Sequence, residues 1–222
     1  MKYTVKISPR AKLVRLKVSP QEGLIVVVPK RFDLAKIPAI LEKKKGWIQK
    51  FLDLFKAGDK LPEQISLRAI GQEWAVEYRR LNVNTVLAVE NSEKLVLVGA
   101  VDRPGVVKAA LHRWLALKAH EHLAPWLSRL AKEHQFPLKK IRIKSQKTCW
   151  GSCSSKHAIN LNLRLLFLDP AVVQYVLLHE LAHTRELNHS ARFWAHVEAV
   201  EPRFRQLRAA LRHAGKLVPT YA

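Results

Sequence analysis

Methionine occurs once in these 222 residues, at Met1, and cysteine twice, at Cys149 and Cys153. Two cysteines are too few for a secreted disulfide scaffold. Four residues apart, they fit neither a CxxC redox pair nor a four-cysteine zinc site, so they read as reduced thiols. Long apolar runs are missing too. Nothing approaches the roughly 20 residues a membrane helix needs, the densest segments being short ones such as Leu24 to Val28. The N-terminal Met-Lys-Tyr-Thr-Val-Lys alternates polar and apolar residues and lacks a signal peptide's apolar core, which makes the expected location cytoplasmic. Acidic residues are scarce: 18 Asp and Glu stand against 39 Lys and Arg, a formal net charge of +21. Such a field concentrates polyanions, and non-specific nucleic-acid binding through a basic surface is one consequence. The plainer consequence is solubility, because the cations are scattered apart from small clusters such as Lys43-Lys44-Lys45, Arg79-Arg80 and Lys139 to Lys147.

What is present suffices for a packed core. Apolar residues make up 48% and charged residues 26%, the balance of a globular chain, and the length fits one large domain or two small ones. Val14, Leu16 and Val18 alternate with Arg15 and Lys17, and a turn at Pro20-Gln21-Glu22-Gly23 leads into Leu24–Val28, which together predict a hairpin. Asp33 reads as a helix N-cap, followed by apolar residues at helical spacing from Ile37 to Phe55, with Gly58 as the stop. Strands are predicted at Ile65–Ile70, Glu73–Arg79, Thr85–Val89 and Leu95–Val98. Beyond Asp102-Arg103-Pro104-Gly105 a long helix runs to about Gln135, with a kink expected at Pro125. Short strands follow around Ile141–Ile143 and Ile159–Leu163, then helices at roughly 170–187 and 190–212. The class is α+β: a β-rich N-terminal part with one helix, residues 1–100, then a helix-rich part with a small sheet, residues 101–222.

The chemistry concentrates in His179-Glu180-Leu181-Ala182-His183, an HExxH arrangement, with His189 ten residues after the first histidine. Asp169 and Pro170 mark the start of a helix that is apolar almost all round, as expected of a buried one. Histidines four apart share one face of that helix and can share one ion. Glu180 sits beside that face, placed to work a water on the metal without ligating it. The chain turns at Leu187-Asn188, which makes His189 the natural third ligand, and Ser190 reads as the N-cap of a helix whose Phe193, Trp194 and Val197 pack it back. Catalytic zinc takes three protein ligands and keeps a fourth position for water. Coordination lowers the pKa of that water from near 16 to about 7, and Glu180 is the expected general base. A structural zinc site would use four ligands and favour cysteine. The spacing equals that of metzincins, but their glycine falls at Glu186 and no methionine follows for a Met-turn.

The residues Lys147-Thr148-Cys149-Trp150-Gly151-Ser152-Cys153-Ser154-Ser155, Ile159-Asn160-Leu161-Asn162-Leu163-Arg164, His179–His183 and Asn188-His189-Ser190 through Phe193-Trp194 resemble the YgjP-like metallopeptidase-domain family, related to the SprT and Spartan zincins. The resemblance covers nearly the whole chain and implies a zincin-like catalytic part in residues 101–222. It also implies that the 159–164 strand lines the cleft, which makes Trp150, Ser152, Asn162 and Lys147 candidate substrate-binding residues. From residue type alone, Trp150 reads as core and Asn162 as a solvated strand position. Cys149 departs from the family pattern, which carries arginine just before the tryptophan.

Three functions stay open at this stage. A zinc peptidase would act on a peptide or protein. A nucleoside-triphosphate (UTP) pyrophosphatase would use the same metal, with Lys139, Lys140, Arg142, Lys144 and Lys147 near a phosphate, although no Walker-type glycine loop is present. A DNA-associated protease of the SprT/Spartan kind would use the basic surface to recruit its substrate, although no zinc finger or helix-turn-helix signature is present.

Overall fold

The structure, a computed structural model, describes residues 3–11, 13–19, 23–49 and 61–222. The turn expected at 20–22 and the helical pattern from 50 to 58 lie outside the described residues. The chain divides into two compact units at the Lys60/Leu61 junction.

In the first unit, β3 (Gly23–Val28) is the centre of a three-stranded sheet. It pairs antiparallel with β2 (Arg15–Ser19) and parallel with β1 (Thr4–Ile7). Alternation puts Leu24, Val26 and Val28 on one face, where they form a small core with Ile37, Leu41 and Ile48. The Asp33 carboxylate accepts from the Ala35 amide at 3.0 Å, as its reading as a cap required. It caps a 3-10 turn (Leu34–Lys36) that continues into α1 (Ile37–Lys43), with proline at the start of that helix.

The second unit begins with a four-stranded sheet in the order β4-β5-β7-β6: β4 (Gln64–Leu67), β5 (Gln72–Arg80), β6 (Val86–Glu90) and β7 (Lys94–Gly99). Only β5 and β7 run parallel. The strand expected over 65–70 stops at Leu67. Residues 68–70 form a 3-10 turn that Gly71 ends at φ +63°, a left-handed conformation glycine adopts without strain. Ile65, Leu67, Leu95 and Leu97 are fully buried in the same core as Leu111, Leu115, Leu177 and Leu178. The compositional change near residue 100 therefore marks the entry to α2 (Pro104–Glu133), and one core spans both sides of it. This helix continues as one element through Pro125. Among the described residues, no helix is long and apolar enough to cross a membrane.

A second three-stranded sheet has β10 (Ala158–Asn162) at its centre, parallel to β8 (Lys140–Lys144) and antiparallel to β9 (Gly151–Cys153). The short edge strand β9 has too few alternating residues to show in the sequence. Three helices follow: α3 (Pro170–Ala182), α4 (Ala191–Val200) and α5 (Phe204–Ala214). Two expectations change here. The helix expected to reach 187 ends at Ala182, and the single helix expected over 190–212 is two. Pro202 has no amide to donate and restricts Glu201 before it, so the helix breaks there. The buried Glu201 carboxylate accepts from the Arg203 amide at 3.2 Å across the break.

One polar cluster ties the four-stranded sheet to α2. Lys118 is 8% exposed, and its ammonium lies 2.5 Å from Glu90 and 3.3 Å from Glu121. The Trp114 indole donates to the other Glu90 oxygen at 2.5 Å, and Trp74 stands edge-on to Trp114. Burial alone would lower the Lys118 pKa, but the bonds and charges of Glu90 and Glu121 raise it. A raised lysine pKa stabilises the fold throughout neutral pH, and that contribution is lost only as pH rises through the folded value, above the ordinary lysine range. Glu90→Gln should destabilise the protein by about 2 kcal/mol in urea unfolding at pH 7, because a buried ammonium loses its nearer counter-charge. The difference from the wild type should shrink only once the pH passes the raised Lys118 value, where Lys118 is neutral in both proteins.

Candidate metal centre

Helix α3 is buried along most of its length, with Val172, Val173, Val176, Leu177, Leu178, Leu181 and Ala182 all in the core. Its last turn nevertheless carries His179, Glu180 and the C-cap His183. Their 3.6-residue spacing puts both histidines on one side, with ring centroids 4.9 Å apart. Beyond Ala182 the Thr184 hydroxyl donates to the Leu181 carbonyl at 2.6 Å. Arg185 donates to the carbonyls of His134 and Gln135 at 3.2 and 2.9 Å, and its guanidinium lies over Phe136. These contacts hold the turn that returns His189 to the helix. The Ser190 hydroxyl accepts from the Phe193 amide at 3.3 Å and starts α4.

The three histidines meet. One ring nitrogen from each of His179, His183 and His189 lies within 4.8 Å of the other two, and the Nε2 atoms of His179 and His189 are 3.2 Å apart. Two imidazole lone pairs at that distance repel unless a proton or a cation lies between them. Tetrahedral ligation at about 2.0–2.1 Å would separate two nitrogens by about 3.3 Å, so the donor set fits a metal ion. His183 Nδ1 lies 3.0 Å from the Glu186 carbonyl, which can only accept, so this nitrogen carries the proton and Nε2 keeps its lone pair. Burial, aided by the neighbouring imidazoles and Arg208, pushes His179 down to about 3. His183 is lowered as well, by burial first, against the opposing effect of its bond to Glu186. Both rings are therefore neutral at physiological pH, the form a metal binds.

Aromatic packing fixes the ring orientations. Phe193, fully buried, stacks on His183 at 4.4 Å, and Trp194 stacks on His189 at 5.5 Å. Phe204 stacks on the far face of the cluster against Trp194. The Glu180 carboxylate is 6% exposed, and one of its oxygens, Oε2, is enclosed without a hydrogen-bond partner. Burial pushes its pKa up to about 8.

His179, His183, His189 and Glu180 line one cavity of about 450 Å³. Trp150 and Ser152 line it too, whereas the 159–164 strand, which the resemblance places at the cleft, contributes no residue to it. Asn162 and Lys147 border a neighbouring cavity instead. Asn162 is 2% exposed rather than solvated. Its amide donates to the carbonyls of Gln146 and Cys149 at 2.7 and 2.8 Å and its oxygen accepts from the Arg164 amide at 3.1 Å, so it positions the 146–149 loop. Lys140, Arg142 and Lys144 lie exposed along the edge strand β8, outside the cavity.

Sequence reading missed three contributors. Tyr175, one turn before His179, lines the cavity with its ring edge-on to His179; helical spacing could have found it. Cys153 faces the cavity as a free thiol, pushed up to about 11 by burial and by the nearby Glu180. Gly151 is the third. A Cβ there would stand 2.7 Å from Glu180 Oε1 and 2.8 Å from its carboxyl carbon, so only glycine lets β9 approach this closely.

The family model described as YgjP-like, metallopeptidase domain, matches residues 12–214. The chain belongs to this family. As a YgjP-like metallopeptidase-domain protein, it is also similar to a solved structure, the metallopeptidase zymogen of Pyrococcus abyssi abylysin. Identity there is 28%, over 38% of this chain and 87% of that one, with a TM-score of 0.36. No curated protein matches the chain.

The Gly151 contact makes its own prediction. Gly151→Ala should leave metal content unchanged but lower turnover by about 10²-fold, because the methyl group displaces the carboxylate by the order of an ångström. Metal analysis beside a cleavage assay reads both quantities, and full activity in the alanine variant would show that the close approach has no bearing on turnover.

Proposed function

We propose that this chain is a zinc-dependent peptidase in which His179, His183 and His189 hold the ion and Glu180 is the general base. The observation that carries the reading is the convergence of three imidazole nitrogens beside a buried carboxylate with an unpartnered oxygen, in a chain of a metallopeptidase family. Three histidines without a thiolate are the donor set of catalytic rather than structural zinc. When bound, the ion supplies Lewis acidity, which acidifies water and polarises a carbonyl.

The remaining chemistry belongs to the chain. Burial strengthens the hold of the Glu180 carboxylate on a proton, and a cation at the histidines would keep it ionised, which suits a base that takes a proton from water and delivers it to a leaving nitrogen. Gly151 sets the carboxylate's position. The walls formed by Trp150, Val176, Leu187 and Leu211 suit apolar side chains and limit water at the reacting bond. Strand β9 is an edge strand beside the cavity, and the side of it away from β10 can pair with an extended peptide.

The cavity has no Lys or Arg in its lining, which favours a neutral peptide carbonyl over a triphosphate at the metal. The UTP pyrophosphatase alternative would have to draw its phosphate contacts from the neighbouring cavity. The DNA-associated protease alternative rests on the net charge and on the exposed cations of β8.

The decisive comparison uses purified protein, with zinc measured by elemental analysis and cleavage followed on an unfolded protein substrate. His183→Ala should lose the metal. Glu180→Gln should keep it and lose about 10²–10⁴-fold in turnover, the usual contribution of a general base. Undiminished turnover in Glu180→Gln would remove the assigned base, and a metal-replete wild type that cuts no peptide would remove the peptidase reading.

A further inference from the structure

Next to the metal cavity lies a second one of about 300 Å³, and the two share Cys149, Trp150 and Leu211 as a common wall. Their chemistry is opposite in character. The metal cavity has no Lys or Arg in its lining, whereas the second is lined by Lys147, Arg164 and Arg212 and by no Asp or Glu. Lys147 and Arg212 are exposed and have no carboxylate partner among the described residues.

The backbone that carries these cations is anchored. Asn162 bonds the carbonyls of both Gln146 and Cys149, which anchors the chain on either side of Lys147. Arg164 uses Nε and Nη2 on the backbone oxygen of Ala222, at 3.1 and 2.7 Å, and braces the wall. Arg212 follows Leu211 on α5, one of the three residues both cavities share. Unpaired cations on an anchored framework form a preorganised receptor for an oxyanion, since little ordering remains to be done on binding.

We infer that this second cavity is an anion subsite, in which Lys147 and Arg212 take an oxyanion of the substrate while the reacting bond lies in the metal cavity. The position of the reacting bond rests on the peptidase reading; the anion subsite does not. For a peptide the oxyanion is a carboxylate close to the bond being cut, either the chain terminus or an acidic side chain. The same receptor chemistry accepts a phosphate. Asn162 is a positioning residue in this scheme, acting through the loop that carries Lys147.

Equilibrium binding tests the inference on the zinc-loaded full chain in the Glu180→Gln background, which holds a peptide uncut. The probes are a fluorescent tripeptide with a free C-terminal carboxylate, its C-terminal amide, and inorganic phosphate as competitor. The acid should bind about tenfold more tightly than the amide, as expected of charge-assisted contacts. That ratio should fall to near one in Lys147→Ala/Arg212→Ala and in the longer Lys147→Gln/Arg212→Gln, with metal content unchanged in both. Phosphate competition with acid and amide binding alike would retain the subsite and assign it to a phosphoryl group. Equal binding without phosphate competition, or an acid preference that survives both double variants, would overturn it. Failure of the peptidase reading looks different: the wild type cuts neither peptide while the acid preference stands.

Discussion

Burial of polar groups on α3 is the constraint around which the second unit is organised. A helix that is apolar on nearly every side ends in two imidazoles and a carboxylate, and desolvation acts on them in opposite directions. It drives the Glu180 pKa up to about 8 and the His179 pKa down to about 3, so each group is pushed toward its neutral form. The neutral imidazoles of His179 and His183 have lone pairs to place, and the His189 ring converges on the same point. Apolar packing cannot satisfy that convergence, whereas a cation can.

The surrounding structure holds this arrangement rigid. Phe193 and Trp194 stack on two of the three rings, and α4 can supply both because Ser190 starts it immediately after His189. Arg185 fastens the intervening turn to the C-terminal end of α2 through two carbonyls and the Phe136 ring. On the opposite side β9 presses Gly151 against the carboxylate. The three rings and the carboxylate are thus held from separate elements, with Phe193 packed against all three rings and Gly151 against the carboxylate.

Charge is distributed with equal specificity. The chain has a large positive excess, yet its cations are absent from the lining of the metal cavity. They stand along β8 and in the cavity behind the Trp150 wall. Such a division leaves Arg208 as the cation whose charge reaches His179, while the two cavities differ in the charge of their linings.

The converging histidines were legible because HExxH and the following histidine are local: helical geometry alone brings His179 and His183 together, and a short turn returns His189. The α+β class and the caps at Asp33 and Ser190 were legible for the same reason, since periodicity and capping depend on near neighbours. Helix ends were less so. The stop at Ala182 depends on Thr184 and on the remote carbonyls that Arg185 reaches, and the break at Glu201 was signalled by Pro202 but overridden by a continuing apolar pattern. What tertiary structure alone decided lies across β9 and β10. Three residues are too few to announce a strand, and nothing local shows that Gly151 must touch Glu180. Asn162 reads as a solvated strand position, but three hydrogen bonds to the 146–149 loop and to Arg164 pay for its burial. Sequence determined which residues could hold a metal; packing decided which groups face them, because a side chain's partners across a core are set by contacts far apart in the chain.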